Sequence, residues 1–272
     1  LNIVLDYLFV YTLSMTVDGV AYASLIAESS IYIFIFYFVL KNNEFINKKV
    51  FVDSIYKISS LKNKIIVNGN MFIRSIILMT CFASFMSFSA NYGEIVLAAN
   101  TILLNFFFIF SYGIDAFAHA SEVLVGNSVG EKNSSKYDLV IKSSFKFTYI
   151  VLILFLVVFL FFSSNIINVI TDHKEVITIA SENIIFLFLI VIFGSIAFCI
   201  DGILIGALQH TTMRNIMILS GLIYSISILF ISQENYVTIW YAFIAFFGAR
   251  SVFLLLSLKG IRRSIFGLKS YV

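Results

Sequence analysis

Residues 143–165, SSFKFTYIVLILFLVVFLFFSSN, contain one charge, Lys146, in twenty-three positions. A stretch of this length and apolarity matches the hydrocarbon core of a bilayer, which a helix of about 17–25 residues spans. Comparable runs recur along the whole chain. Only 12% of residues are charged, where a soluble domain has about a quarter, and 60% are apolar. A transmembrane barrel would instead show short alternating segments, and none are present. The sequence therefore predicts an all-α polytopic membrane protein of about eight transmembrane helices, at roughly 1–16, 19–40, 67–90, 95–126, 143–165, 179–207, 214–232 and 237–258.

The links between these runs alternate in character. Residues 16–18, 91–94, 165–178 and 232–235 are poor in Lys and Arg, whereas 41–64, 127–142, 210–214 and the tail from Lys259 are rich in them. Fifteen of the eighteen Lys and Arg lie on the second set or at helix ends beside it. Cytoplasmic links carry that excess, so the expected localisation is the inner or plasma membrane with a cytoplasmic C-terminus. Lys174 falls on the other set, and Arg74 and Arg250 fall inside spans. The net charge of +3 thus reflects cytoplasmic links, and no nucleic-acid partner is implied.

The 41–66 link is the longest break. Phe51, Ile55, Ile58, Leu61 and Ile65 recur at helical spacing opposite Lys48, Lys49, Lys57, Lys62 and Lys64, the pattern of an amphipathic helix on an anionic leaflet. A plain solvated linker is the alternative. In either case the link separates residues 1–40, with two helices, from residues 67–272, with six.

Proline is absent from the chain. Any kink must then come from Gly, Ser or a π-bulge. Cys81 and Cys199 sit in apolar runs without the paired spacing of a metal or redox site, and read as buried thiols.

Ionisable groups near a bilayer centre cost roughly 2.5–3.5 kcal/mol each on insertion scales and mark function by default. The acids so placed are Asp6, Glu28, Asp115, Glu122 and Asp201. Asp115, His119 and Glu122 stand at i, i+4 and i+7, so one helix face carries all three. Zinc would need more ligands than this face offers, because His173 and His210 lie on links. A proton-relay or ion-pairing face fits better, with Glu122 close enough to the boundary to snorkel. Asp201 precedes Gly202 and Gly206, a GxxxG step that permits close helix approach. Gly126 and Gly130 form a second such step.

Three segments carry a family resemblance. LAANTILLNFFFIFSYGIDAFAHASEVLVGNSVGEKN resembles the second helix of the C-terminal lobe of MATE (multidrug and toxic-compound extrusion) transporters, with Asn127 where their G-Q-x-x-G-type motif has Gln. FCIDGILIGALQHTTMRNIMILS resembles the fourth helix of that lobe and its turn into the fifth. NIVLDYLFV with DGVAYASLIAE resembles the last helix pair of the N-terminal lobe. The similarity covers essentially all of the chain and is nearest to the DinF-like branch.

The resemblance implies a twelve-helix fold in two lobes, of which this chain matches helices five to twelve. It begins with Leu1 rather than Met, and helices one to four are expected to be missing. The implied activity is secondary active efflux of drugs and toxins by alternating access between the lobes. Small amphipathic or cationic substrates would leave in exchange for protons or sodium. No cofactor beyond the coupling ion and no resident metal is implied, and a complete protein would act as a monomer. The family's N-lobe cation site maps onto Asn2, Asp6 and Ser24, while its helix-one Asp has no counterpart here. Asp201 matches an acid used for cation binding in another branch, but the acid which that branch places on helix seven is absent from MFIRSIILMTCFASFMSFSA.

The coupling logic is general. A carboxylate in a low-dielectric cavity favours its protonated form, so loading it with a proton or cation lets the surrounding helices repack and release a competing substrate, bound between repeats. Two other readings stand beside this one. The first is a non-transporting remnant of a truncated or split transporter gene. The second is a lipid-linked oligosaccharide flippase of the same superfamily, which would need a strongly cationic cavity. An enzyme is not expected, since no nucleophile–base pair or metal set converges.

Overall fold

The computed structural model describes residues 1–41, 58–230 and 235–267, and helix dominates them with no strand. Helix α1, Asn2–Tyr7, widens into a π-helical turn at Leu8–Thr12, and α2 spans Val17–Lys41. Then come α3 (Ile58–Asn91), α4 (Glu94–Gly130), α5 (Ser134–Ile170), α6 (Lys174–Glu182), α7 (Ile184–Gly206), α8 (His210–Ile228) and α9 (Thr238–Phe266). The chain forms two compact units, Leu1–Ile65 and Ile66–Val272.

Among the described residues, six helices are long and apolar enough to cross a membrane: α2, α3 from Lys64, α4, α5, α7 and α9. The other two expected spans fall short for different reasons. In the first, α1 is only 6 residues long before its hydrogen bonds shift to the π register. In the other, α8 begins with the polar run HTTMRN, which leaves too little of its 19 residues apolar.

Conversely, α4 and α5 run to 37 residues each, about 55 Å at 1.5 Å per residue. That is well beyond a hydrocarbon core of about 30 Å. Hydropathy marks only the buried part of such a helix, and the remainder is held by polar ends. Asn133 caps α5 by accepting the Lys136 N–H at 3.0 Å, and Lys136 Nζ donates to Glu131 at 2.7 Å. At the far end of α9, Gly267 takes the left-handed conformation (φ 64°) and its N–H closes on the Arg263 carbonyl at 2.9 Å.

The single helix expected at 179–207 is broken at Asn183, where α6 ends and α7 begins. Asn183 donates its N–H to Ile179 O and accepts from Phe186 N–H, at 3.1 and 3.0 Å, so the chain turns without proline. The amphipathic helix expected in the 41–66 link falls largely on residues 42–57, outside the described residues, and α3 is already under way at Ile58.

In the first unit, α1 packs on α2, and Gly19 lies where a Cβ would collide with Met15. Most large apolar side chains of α2, such as Ile31, Phe34 and Phe36, are exposed, a surface suited to hydrocarbon. In the second unit, α4 is central and packs on α5, α6 and α7, while α9 packs on α7 and α8. Helix α3 joins them through long side chains. The Phe85 ring lies 4.7 Å from Phe243 and 4.9 Å from Trp240, and Ser84 and Tyr224 share a 2.8 Å hydrogen bond. Buried Asn100 is satisfied in this apolar region. It accepts from Trp240 Nε1 at 3.2 Å and donates to Ser89 Oγ at 2.9 Å. Cys81 and Cys199 are both buried and free.

Candidate functional site

A close approach between two helices positions the site. A Cβ on Gly202 would overlap the backbone of Ala118, and one on Gly206 would overlap Glu122 O. The two glycines therefore let α7 lie backbone to backbone on α4, next to the face that carries Asp115, His119 and Glu122. The second GxxxG step is not equivalent. A Cβ on Gly126 would meet Gly206 O at an ordinary 3.6 Å, and one on Gly130 would meet nothing.

Beside this contact lies a cavity of about 310 Å³, within the size range of small-molecule sites. Asp115, His119, Glu122 and Asp201 all line it, together with Arg74 from α3. Four phenylalanines, Phe82, Phe107, Phe108 and Phe198, line the rest of its wall together with small and aliphatic residues.

Asp201 is not a lone acid. Its Oδ2 accepts from Arg74 Nη2 at 2.5 Å and also from Arg250 Nη2. Arg250 is 1% exposed, and its guanidinium carbon lies 5.7 Å from the Phe198 ring centre, a cation–π arrangement. Two guanidiniums thus converge on one carboxylate oxygen, and Arg74 Nε and Arg250 Nη1 are buried without a hydrogen-bond partner. Asp115 is half-buried, and among the described residues it makes no ion pair. His119 Nδ1 and Glu122 Oε2 are 3.5 Å apart, with His119 largely exposed and Glu122 half-buried, a contact of little energetic weight.

Arg74 and Arg250 are the residues that sequence reasoning passed over. They stood out only as exceptions to the charge partition between links. The available signal was that a cation inside a span needs a partner, but spacing along the chain cannot say which acid supplies it across 127 and 49 residues. Charge inside the second unit is accordingly mixed, not mainly acidic as the acids alone suggested.

In the first unit, Asn2 Nδ2 donates to Ser24 Oγ at 3.2 Å, and both line an open pocket with Glu28. Asp6 stands apart from that lining, and its Oδ1 is buried with no partner. Among the described residues, no three His, Cys, Asp or Glu side chains are grouped closely enough to hold a metal ion.

Membrane-length helices around a charged, aromatic-lined cavity define the class as polytopic helical membrane proteins. The MatE family model matches residues 71–232, more than half of the chain, and the protein belongs to that family. It is 27% identical over 257 residues to DNA damage-inducible protein F of Escherichia coli K12, across 93% of this chain and 55% of that one. Its fold matches a point mutant of the MATE transporter VcmN of Vibrio cholerae with a TM-score of 0.76 at 16% identity, over 99% of this chain and 60% of that one. It also matches an outward-facing multidrug resistance MATE transporter of the MOP superfamily, with a TM-score of 0.77 at 17% identity, over 97% and 60%. The chain spans about half the length of the curated relative it matches. The resemblance to the DinF-like branch and the all-helical membrane fold are both borne out.

Proposed function

We propose that the protein acts in secondary active efflux of small amphipathic or cationic compounds, driven by inward movement of protons or sodium. On this reading residues 67–272 supply a six-helix C-lobe, residues 1–40 the last helix pair of the N-lobe, and 41–66 the cytoplasmic connector. The observation that carries the proposal is the convergence of Asp115, Asp201, Glu122, His119 and Arg74 on one aromatic cavity within a MatE-family bundle. Aromatic walls hold an amphipathic substrate, and carboxylates beside them link ion loading to the state of the cavity. Asn2, Asp6 and Ser24 form the second coupling group. The flippase reading is less well supported, because three carboxylates and one guanidinium line the cavity.

The test is efflux of a fluorescent cationic dye from vesicles holding the intact transporter, with proton and sodium gradients set independently. Dye moving against its own gradient under one ion gradient, and stopping when that gradient is collapsed, is the expected result. Movement that ignores both gradients, or none at all, would overturn the proposal and favour the remnant reading. A cytoplasmic C-terminus predicts that a C-terminal fluorescent fusion lights up inside the cell.

A further inference from the structure

Residues 150–170 of α5 carry no charge and extend about 30 Å, the thickness of a hydrocarbon core. Lys146 and Lys142 stand about 6 and 12 Å beyond Ile150, in and just above the headgroup layer. The side chains that bury this end of α5 against the bundle are Tyr137, Val140, Ser144, Thr148 and Leu152. Lys142 and Lys146 lie on the opposite side of the helix, in one exposed stripe with Leu139, Ile150, Ile153 and Val157.

The acids nearest to these lysines in sequence are already committed. Glu131 accepts from Lys136 Nζ at both oxygens, at 2.7 and 2.9 Å. Asp138 stands four residues before Lys142, the spacing of a helical ion pair. Both its oxygens instead accept from Arg262 of α9, at 2.8 and 2.7 Å. Lys142 and Lys146 therefore make no ion pair among the described residues, and two ammoniums one helical turn apart keep their full charge.

We infer that this stripe of α5 is a binding site for an anionic phospholipid, its phosphate held by Lys142 and Lys146 and its acyl chains laid along Ile150, Ile153 and Val157. A net-negative headgroup cancels the charge that the protein leaves over, whereas a zwitterionic headgroup brings a cation of its own. The lysines run directly into exposed apolar side chains, which a lipid covers and a free phosphate ion would leave bare. The site is independent of the efflux reading and of which side of the membrane is cytoplasmic.

Native mass spectrometry of the full chain in detergent, titrated with phosphatidylglycerol or phosphatidylcholine of matched acyl chains, reads the binding directly. Phosphatidylglycerol should bind about ten- to thirtyfold more tightly, the scale of two lysines at a lipid surface. Both lysines are exposed, so substituting them keeps the fold. Lys142→Gln with Lys146→Gln should bring the preference to near one, and Lys142→Arg with Lys146→Arg should retain it. Lys132→Gln, at an exposed position between α4 and α5, should leave it unchanged.

Equal affinity for the two lipids in the unsubstituted chain would overturn the inference, and so would a preference that survives the double Gln variant. Displacement of the bound lipid by millimolar inorganic phosphate would make this a simple anion site and remove the lipid assignment. A dimer mass in place of lipid-bound monomer would give the stripe to a second copy of the chain. None of these outcomes bears on the efflux test, which reads transport alone.

Discussion

Replacing Asp201 by Asn should damage the protein before it affects transport. The substitution preserves shape and removes the one negative charge on which Arg74 and Arg250 converge. Arg250, 1% exposed, would be left as a buried cation without a counter-charge. Arg74, with a side chain 16% exposed, can relax toward the cavity and suffers less. Breaking a buried pair by removing one partner costs about 3–5 kcal/mol, nearly all of it here from Arg250. For a chain of this size each kcal/mol moves the melting temperature by about 2–4 °C, so the expected loss is about 6–20 °C.

A thiol-reactive fluorogenic dye suits the measurement, because Cys81 and Cys199 are 3% and 1% exposed and react only as the bundle opens. Removing the stranded cation should reverse much of the loss, so Asp201→Asn with Arg250→Met should melt well above Asp201→Asn alone. If Asp201→Asn melts within about 2 °C of the parent, the buried charge cluster is not a structural unit, and that result would falsify the argument.

Four further predictions use other parts of the molecule. Gly202→Ala forces a methyl into the Ala118 backbone and should cost about 1–3 kcal/mol as overpacking. Gly130→Ala meets nothing and should be neutral or raise stability by about 0.5–1 kcal/mol; equal melting temperatures for the two variants would refute the glycine contact. Asn100→Leu strands the Trp240 N–H and should lower stability by about 1–3 kcal/mol, read in the same thiol assay. In the intact transporter, Asp6→Asn should abolish or severely reduce coupled dye efflux while membrane insertion, measured by fractionation, stays normal; unchanged efflux would remove Asp6 from the coupling group. His119→Ala should reduce efflux per folded molecule far less than Asp201→Asn, since His119 is a largely exposed member of the face; the reverse order would place the working group on α4.

The helical membrane class was legible because hydrocarbon imposes it: a run such as residues 143–165 has the length and apolarity of a bilayer core. The α4 face was also legible, because i, i+4, i+7 spacing is local geometry, and the cavity does receive Asp115, His119 and Glu122 together. The convergence of Arg74, Arg250 and Asp201 was not, because it joins three helices at long sequence separation and no local pattern encodes which cation meets which acid. Helix lengths were underestimated at α4 and α5 for a related reason. Backbone hydrogen bonding continues into water where Asn133 and Lys136 satisfy the ends, while hydropathy falls off. The break at Asn183 was hidden because the usual punctuation of a helix boundary, proline, never occurs in this chain.

That same absence has a consequence for motion. The π turn at Leu8–Thr12 and the break at Asn183 are made by re-pairing ordinary amide groups. A proline bend is permanent, because its missing N–H can never be restored. Here both interruptions keep every N–H needed to heal into regular helix and reopen, so straightening and bending are open to these segments as a reversible cycle. Folding into the membrane is likewise free of the slow step, tens of seconds long, that prolyl isomerisation imposes on other chains.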